Sequence, residues 1–120
     1  MKIKVSELTG AALDWAVALI ERPDWKAEGY LEVFPDDLSF DDGTVYAPST
    51  DWAHGGPIIE REGIQLRCGL GGWVALPYDS AFSEEAYQEG DTPLIAAMRC
   101  YVASQLGDEI EIPEQLMKGV

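Results

Sequence analysis

The segment from Asp91 to Gly107 constrains the fold more than any other. Asp91 or Thr92 stands where a helix N-cap belongs, Pro93 sits at the first helical position, residues 94–106 form a helix-compatible run, and Gly107 supplies the stop. Leu94, Ile95, Met98, Tyr101, Val102 and Leu106 recur at helical spacing and predict a core-facing stripe. Ala96, Ala97 and Ala103 are small enough to let another element approach closely. A second helix is predicted over residues 10–22, with Thr9 as cap and Pro23 as terminator. Its stripe is Ala12, Trp15, Ala16, Leu19 and Ile20, with Asp14 and Glu21 outside it. A chain of 120 residues has room for one hydrophobic core, so both helices are expected in a single domain spanning residues 1–120.

Strand signals are shorter. Residues 3–5 alternate with lysine, 30–34 (Tyr-Leu-Glu-Val-Phe) read as a strand, and Asp41-Asp42-Gly43 between Phe40 and Val45 predicts a hairpin over 38–46. Residues 64–68 alternate and are expected to pair with 73–76 through the turn at Gly69 to Gly72. Residues 48–57 read as a loop, and 58–62 suit a helical turn or the start of a strand equally. Residues 78–90 are expected as a surface loop with a short helix around Glu84 to Gln88, and Ile110 and Ile112 lie in an alternating acidic tail. The expected architecture is α+β, two amphipathic helices packed on a small, mostly antiparallel β-sheet.

Charge and composition narrow the function classes. Twenty-two Asp and Glu against eight Lys and Arg leave a net charge of −14, and nucleic-acid binding needs cations that neutralise phosphates. Direct DNA or RNA binding is therefore not expected. No apolar run approaches the ~18 residues of a membrane span, and the start has lysines but no uninterrupted apolar leader, so a cytoplasmic protein without a membrane partner is expected. Cys68 and Cys100 form no CxxC pair and are expected as buried, reduced thiols. With His54 the only histidine, no metal site is expected, and no motif implies a cofactor. Asp36, Asp37, Asp41 and Asp42 miss the ligand spacing of a calcium loop.

The densest chemical vocabulary lies in residues 49–61. A ligand site there would stack a planar ring on Trp52, meet an anionic or carbonyl group with the Gly55 and Gly56 amides and Arg61, and fix a polar edge with Asp51 or His54. Trp73 would bracket the same ligand, and Arg99 would join Arg61 and Arg67, because an acidic chain must gather its few arginines to hold an anion. The alternative is an ordered turn in which Trp52 plugs the core, Asp51 makes an Asx-turn and the glycines ease the backbone. Ser49, Asp51 and His54 have the residue types of a hydrolytic triad, but closeness in sequence is not convergence in space. No catalytic residue is assigned, and non-enzymatic binding is preferred to an enzyme.

Three stretches, KVSELTGAALDWAV at 4–17, STDWAHGGPIIERE at 49–62 and TPLIAAMRCYVAS at 92–104, resemble the NinX-like family of small phage and prophage proteins. The resemblance covers nearly the whole chain in the same order. It implies an origin in a temperate phage or prophage, work in the bacterial cytoplasm and a gene not required to build the virion; the family name carries no reaction. Two functions are then expected. One is an accessory protein that sequesters a small, nucleotide-like cytosolic ligand to counter host defence. The other is an acidic inhibitor or adaptor, resembling DNA in charge, that docks on a basic host protein. It follows from the lack of Lys or Arg between Lys26 and Arg61, where Glu28, Glu32, Asp36, Asp37, Asp41, Asp42, Asp51 and Glu60 lie. The small-residue face of the helix over residues 94–106, with Ala96, Ala97 and Ala103, would serve a homo-oligomer as readily as a core.

Overall fold

The computed structural model describes residues 2–69, 71–78 and 87–116. The elements in chain order are β1 (Lys2–Lys4), α1 (Gly10–Glu21), α2 (Pro23–Ala27), α3 (Tyr30–Val33), α4 (Trp52–Glu62), β2 (Gln65–Gly69), β3 (Gly72–Leu76), β4 (Gln88–Gly90), α5 (Pro93–Leu106) and β5 (Glu109–Glu111), with single 3-10 turns at Val5–Glu7 and Glu114–Leu116. The α+β class is as expected, but the described residues form five α-helices and two antiparallel sheets, β1-β5 and β2-β3-β4.

Helix α5 follows its sequence signals. Thr92 Oγ1 accepts the Ile95 N–H at 3.1 Å, and Gly107 is the C-cap. Leu94, Met98, Tyr101 and Val102 are buried as expected, while Leu106 in the last turn is exposed. Ala96, Ala97 and Ala103 are buried too, so the helix is covered on more than one side. Ala97, Met98, Tyr101 and Val102 join Leu13, Ala16 and Val17 of α1 in the main core, and Ala96 and Cys100 meet Ala75 of β3 in a smaller cluster. The alanine face is thus spent inside the chain, against its own helices and sheet.

Helix α1 ends before Pro23 as predicted, but Pro23 opens α2, where its missing N–H costs nothing. Asp14, expected outside the buried stripe, is only 7% exposed. The returning chain covers it, and the Ser49 N–H donates to its Oδ1 at 2.8 Å.

Several local expectations are corrected. Residues 30–33 form helix α3, not a strand; helical spacing sets Tyr30 and Phe34 side by side, ring centroids 5.5 Å apart, with Tyr30 also packing on Trp25 at 5.4 Å. Residues 52–57 belong to α4, not to a loop, with Pro57 inside the helix. The 78–90 segment ends in strand β4, whose Gln88 and Gly90 are buried and Glu89 exposed. Of the helix expected around Glu84, residues 84–86 lie outside the described residues, and Gln88 belongs to the strand. The acidic tail likewise contains a strand: β5 sets Glu111 opposite Lys2, Ile110 opposite Ile3 and Glu109 opposite Lys4, so opposite charges and buried isoleucines align across the pair.

Other expectations hold. The turn at residues 40–44 closes through Phe40 N–H to Thr44 O at 2.8 Å, although its ladder is a single bridge between Ser39 and Val45. Strands β2 and β3 pair with Leu66 opposite Ala75 and Gly69 opposite Gly72, and β4 adds a third strand with Gly90 opposite Trp73. Both cysteines are free, but only Cys100 is buried, which pushes its thiol up to about 12. Cys68 is exposed on β2, a correction to the expected burial.

Candidate functional site

Residues 49–61 lock helices together. Asp51 caps α4 by accepting the Ala53 N–H at 2.9 Å. Ser49 is 1% exposed, and its backbone N–H is held by Asp14 Oδ1 at 2.8 Å. The His54 ring packs on Tyr46 and Phe40 at 5.3 and 6.0 Å. Its Nδ1 accepts the Ala47 N–H at 3.0 Å, which places the proton of the neutral ring on Nε2. Asp51 Oδ2, at 3.8 Å from that Nδ1, is beyond hydrogen-bond range. A β-carbon on Gly55 would lie 2.5 Å from Pro48 O and 2.6 Å from Leu94 Cδ2, so glycine is what lets α4 close against α5. Gly56 faces more open space, where a β-carbon would meet only the Trp52 ring at 3.8 Å.

Arg61 is engaged through all three of its nitrogens. Its Nη1 and Nη2 donate to Glu21 at 3.0 and 2.7 Å, Nε donates to Glu62 at 2.8 Å, and Nη2 also reaches the Tyr101 hydroxyl at 3.1 Å. The Tyr101 hydroxyl in turn donates to Glu21 Oε2. This network ties α1, α4 and α5, and the Arg61 hydrogen bonds hold the Glu21 carboxyl below its ordinary value against the opposing effect of burial. A depressed acid contributes stability above the unfolded value of 4.5 that is lost as pH falls through the folded value. Glu21→Gln is therefore expected to cost ~0.5–1 kcal/mol at neutral pH and nothing in strong acid, as read by urea denaturation at a series of pH values.

Trp52, 54% exposed, borders a shallow groove of about 230 Å3 with Ser49, Thr50, Pro93 and Ile95. Trp73 does not face it, so the two indoles do not bracket a common ligand.

Trp73 and Arg99 do come together. They line an open cleft of about 710 Å3 at the end of the β2–β3 hairpin, with Gly69, Gly71, Gly72, Ser6, Val74, Tyr87, Gln88, Glu89, Gly90 and Asp91. Arg99, projecting from α5, donates through Nε to Leu8 O at 2.8 Å and through Nη1 to Glu89 O at 2.7 Å. Those bonds fix the guanidinium between the 3-10 turn region and β4. Burial pushes the Arg99 pKa down, with Asp91 acting in the opposite sense. Among the described residues no carboxylate forms an ion pair with it and its Nη2 donates to none of them. Arg61 and Arg67 do not line this cleft, so the three arginines do not converge there.

Of the expected ligand-binding residues, the cleft thus unites Trp73 and Arg99, while Asp51, Trp52, His54, Gly55, Gly56 and Arg61 lie on or at the cap of α4. The sequence reading missed Ser6, Tyr87 and Asp91. The alternation of buried Gln88, exposed Glu89 and buried Gly90 is the pattern that marks the missing strand.

A family model described as "Bacteriophage P22, NinX" matches residues 4–105. The chain belongs to this family. The NinX match spans both the Arg61 network and the Trp73–Arg99 cleft, and membership supports a phage accessory protein. No curated protein matches the chain. Among the described residues, no helix is long and apolar enough to cross a membrane.

Proposed function

We propose that this NinX-family chain acts by non-enzymatic binding, capturing a small cytosolic molecule of the host in the Trp73–Arg99 cleft and so countering host defence. The observation that carries the reading is a half-buried guanidinium, held by two backbone carbonyls and with donor capacity remaining, beside an indole and a glycine-lined wall. Such a combination offers a stacking surface, one charged donor and close backbone approach, the ingredients of a polar-aromatic ligand site. Small-molecule extract of bacterial cytosol is expected to raise the Tm of the wild type and of Trp52→Ala, and to leave Trp73→Leu unshifted. A shift retained in Trp73→Leu and lost in Trp52→Ala would move the ligand to the Trp52 groove and overturn the reading.

A second reading has its own observation. Glu28, Glu32, Asp36, Asp37, Asp41, Asp42, Asp51 and Glu60 are all exposed, and Val33 and Phe34, 65% and 49% exposed, lie among them in sequence. Apolar side chains within an acidic segment suit docking on a basic host protein. This reading predicts a partner retained in low salt, released in high salt, and lost when Asp36, Asp37, Asp41 and Asp42 are changed to Asn. A pull-down unaffected by those changes would contradict it.

A further inference from the structure

We infer that the Trp73–Arg99 cleft selects a neutral or singly charged planar ring bearing one hydrogen-bond acceptor, a nucleoside-like rather than a polyphosphate ligand; this rests on the capture reading above. A guanidinium grips a phosphate or carboxylate bidentately along one of its edges, using two N–H groups together. In Arg99 the Nε–H is committed to Leu8 O and one Nη1–H to Glu89 O, so the edge formed by Nε and Nη2 is not open to a bidentate anion. The remaining N–H groups, on Nη1 and Nη2, sit together at one end of the guanidinium and meet one acceptor group there, a carbonyl or a single anionic group.

Charge points the same way. Among the described residues that line the cleft Arg99 is the only cation, and Glu89 and Asp91 line it too, within a chain of net charge −14. A triphosphate would bring several negative charges to a wall whose ionisable side chains sum to a negative charge, and each additional charge increases the repulsion. A flat ring has the opposite fit. Trp73 supplies an aromatic surface, Gly71 and Gly72 add no side-chain bulk, and about 710 Å3 lies within the size range of sites for small organic ligands.

The test uses two ladders with the ring held constant and the charge varied: adenosine, cyclic AMP, AMP and ATP, and the guanine counterparts, titrated against the full chain by calorimetry, with a planar-heterocycle fragment set read by saturation-transfer NMR. Neutral or singly charged members are expected to bind at least ~10-fold more tightly than the triphosphate of the same ring, a gap of about 1.4 kcal/mol, and the gap is expected to narrow as salt is added. Binding by fragments is expected to follow the same charge preference, with the signal lost in Trp73→Leu. If a triphosphate binds as tightly as the neutral members, or more so, and is still lost in Trp73→Leu, the ligand class is overturned while capture in the cleft stands. If no nucleoside, nucleotide or planar fragment binds in a Trp73-dependent way, the inference and the capture reading both fall.

Discussion

Gly90→Ala is expected to destabilise the protein by at least ~3 kcal/mol, the upper range for overpacking a filled site, and to abolish ligand capture with it. A β-carbon at Gly90 would lie 2.5 Å from Ala96 N, 2.9 Å from Ile95 Cγ2 and 3.0 Å from Ala96 Cα. Two of those atoms are backbone of a buried helix, so no side-chain rotation relieves the clash. Strand β4 would have to retreat from α5, which disturbs the pairing of Gly90 with Trp73 and moves the Glu89 carbonyl that holds Arg99. Gly71→Ala is the internal control, because a β-carbon there meets nothing within 4 Å. Urea denaturation of the pair is expected to show a large fall in midpoint for Gly90→Ala and little change for Gly71→Ala. Equal midpoints would contradict the close packing of β4 on α5.

Asp14→Ala is the second large effect, expected at ~2–3 kcal/mol, the scale of a hydrogen bond to a charged acceptor combined with an orphaned buried donor. The variant leaves the Ser49 N–H without its 2.8 Å partner where α1 meets the chain entering α4. Asp14→Asn keeps an acceptor oxygen in the same place and is expected to cost less than ~1 kcal/mol. The two acids of α1 then differ in sign with pH. Burial raises the Asp14 pKa above 3.8, against the lowering effect of the Ser49 N–H hydrogen bond. Its folded state holds the proton more tightly than the unfolded chain, so wild type loses stability relative to Asp14→Asn as pH rises through the window between 3.8 and the folded value. Glu21 behaves oppositely, losing its contribution as pH falls. Denaturation midpoints measured across the acid range separate the two.

What the sequence discloses follows from how local each signal is. Helix α5 was legible because Thr92, Pro93 and Gly107 act within a turn of themselves, and β2–β3 because its strands are joined by a short glycine turn. Helix α4 was not, since Gly55, Gly56 and Pro57 are poor helix residues and its formation depends on packing against Pro48 and Leu94. Asp14 looked solvated because the segment that buries it lies 35 residues away. Arg61 looked available because Glu21 and Tyr101 each stand 40 residues from it. Trp73 and Arg99 are legible by their chemistry, and the β3–α5 packing gives them a common cleft; Trp52 has the same chemistry on a different element.

The central claim, capture of a small molecule between Trp73 and Arg99, is tested most directly by native mass spectrometry of the full chain taken from bacterial cells, alongside Trp73→Leu and Trp52→Ala. The account predicts a stoichiometric adduct on the wild type and on Trp52→Ala that is missing from Trp73→Leu; a bare mass for all three, or an adduct that persists in Trp73→Leu, would contradict it.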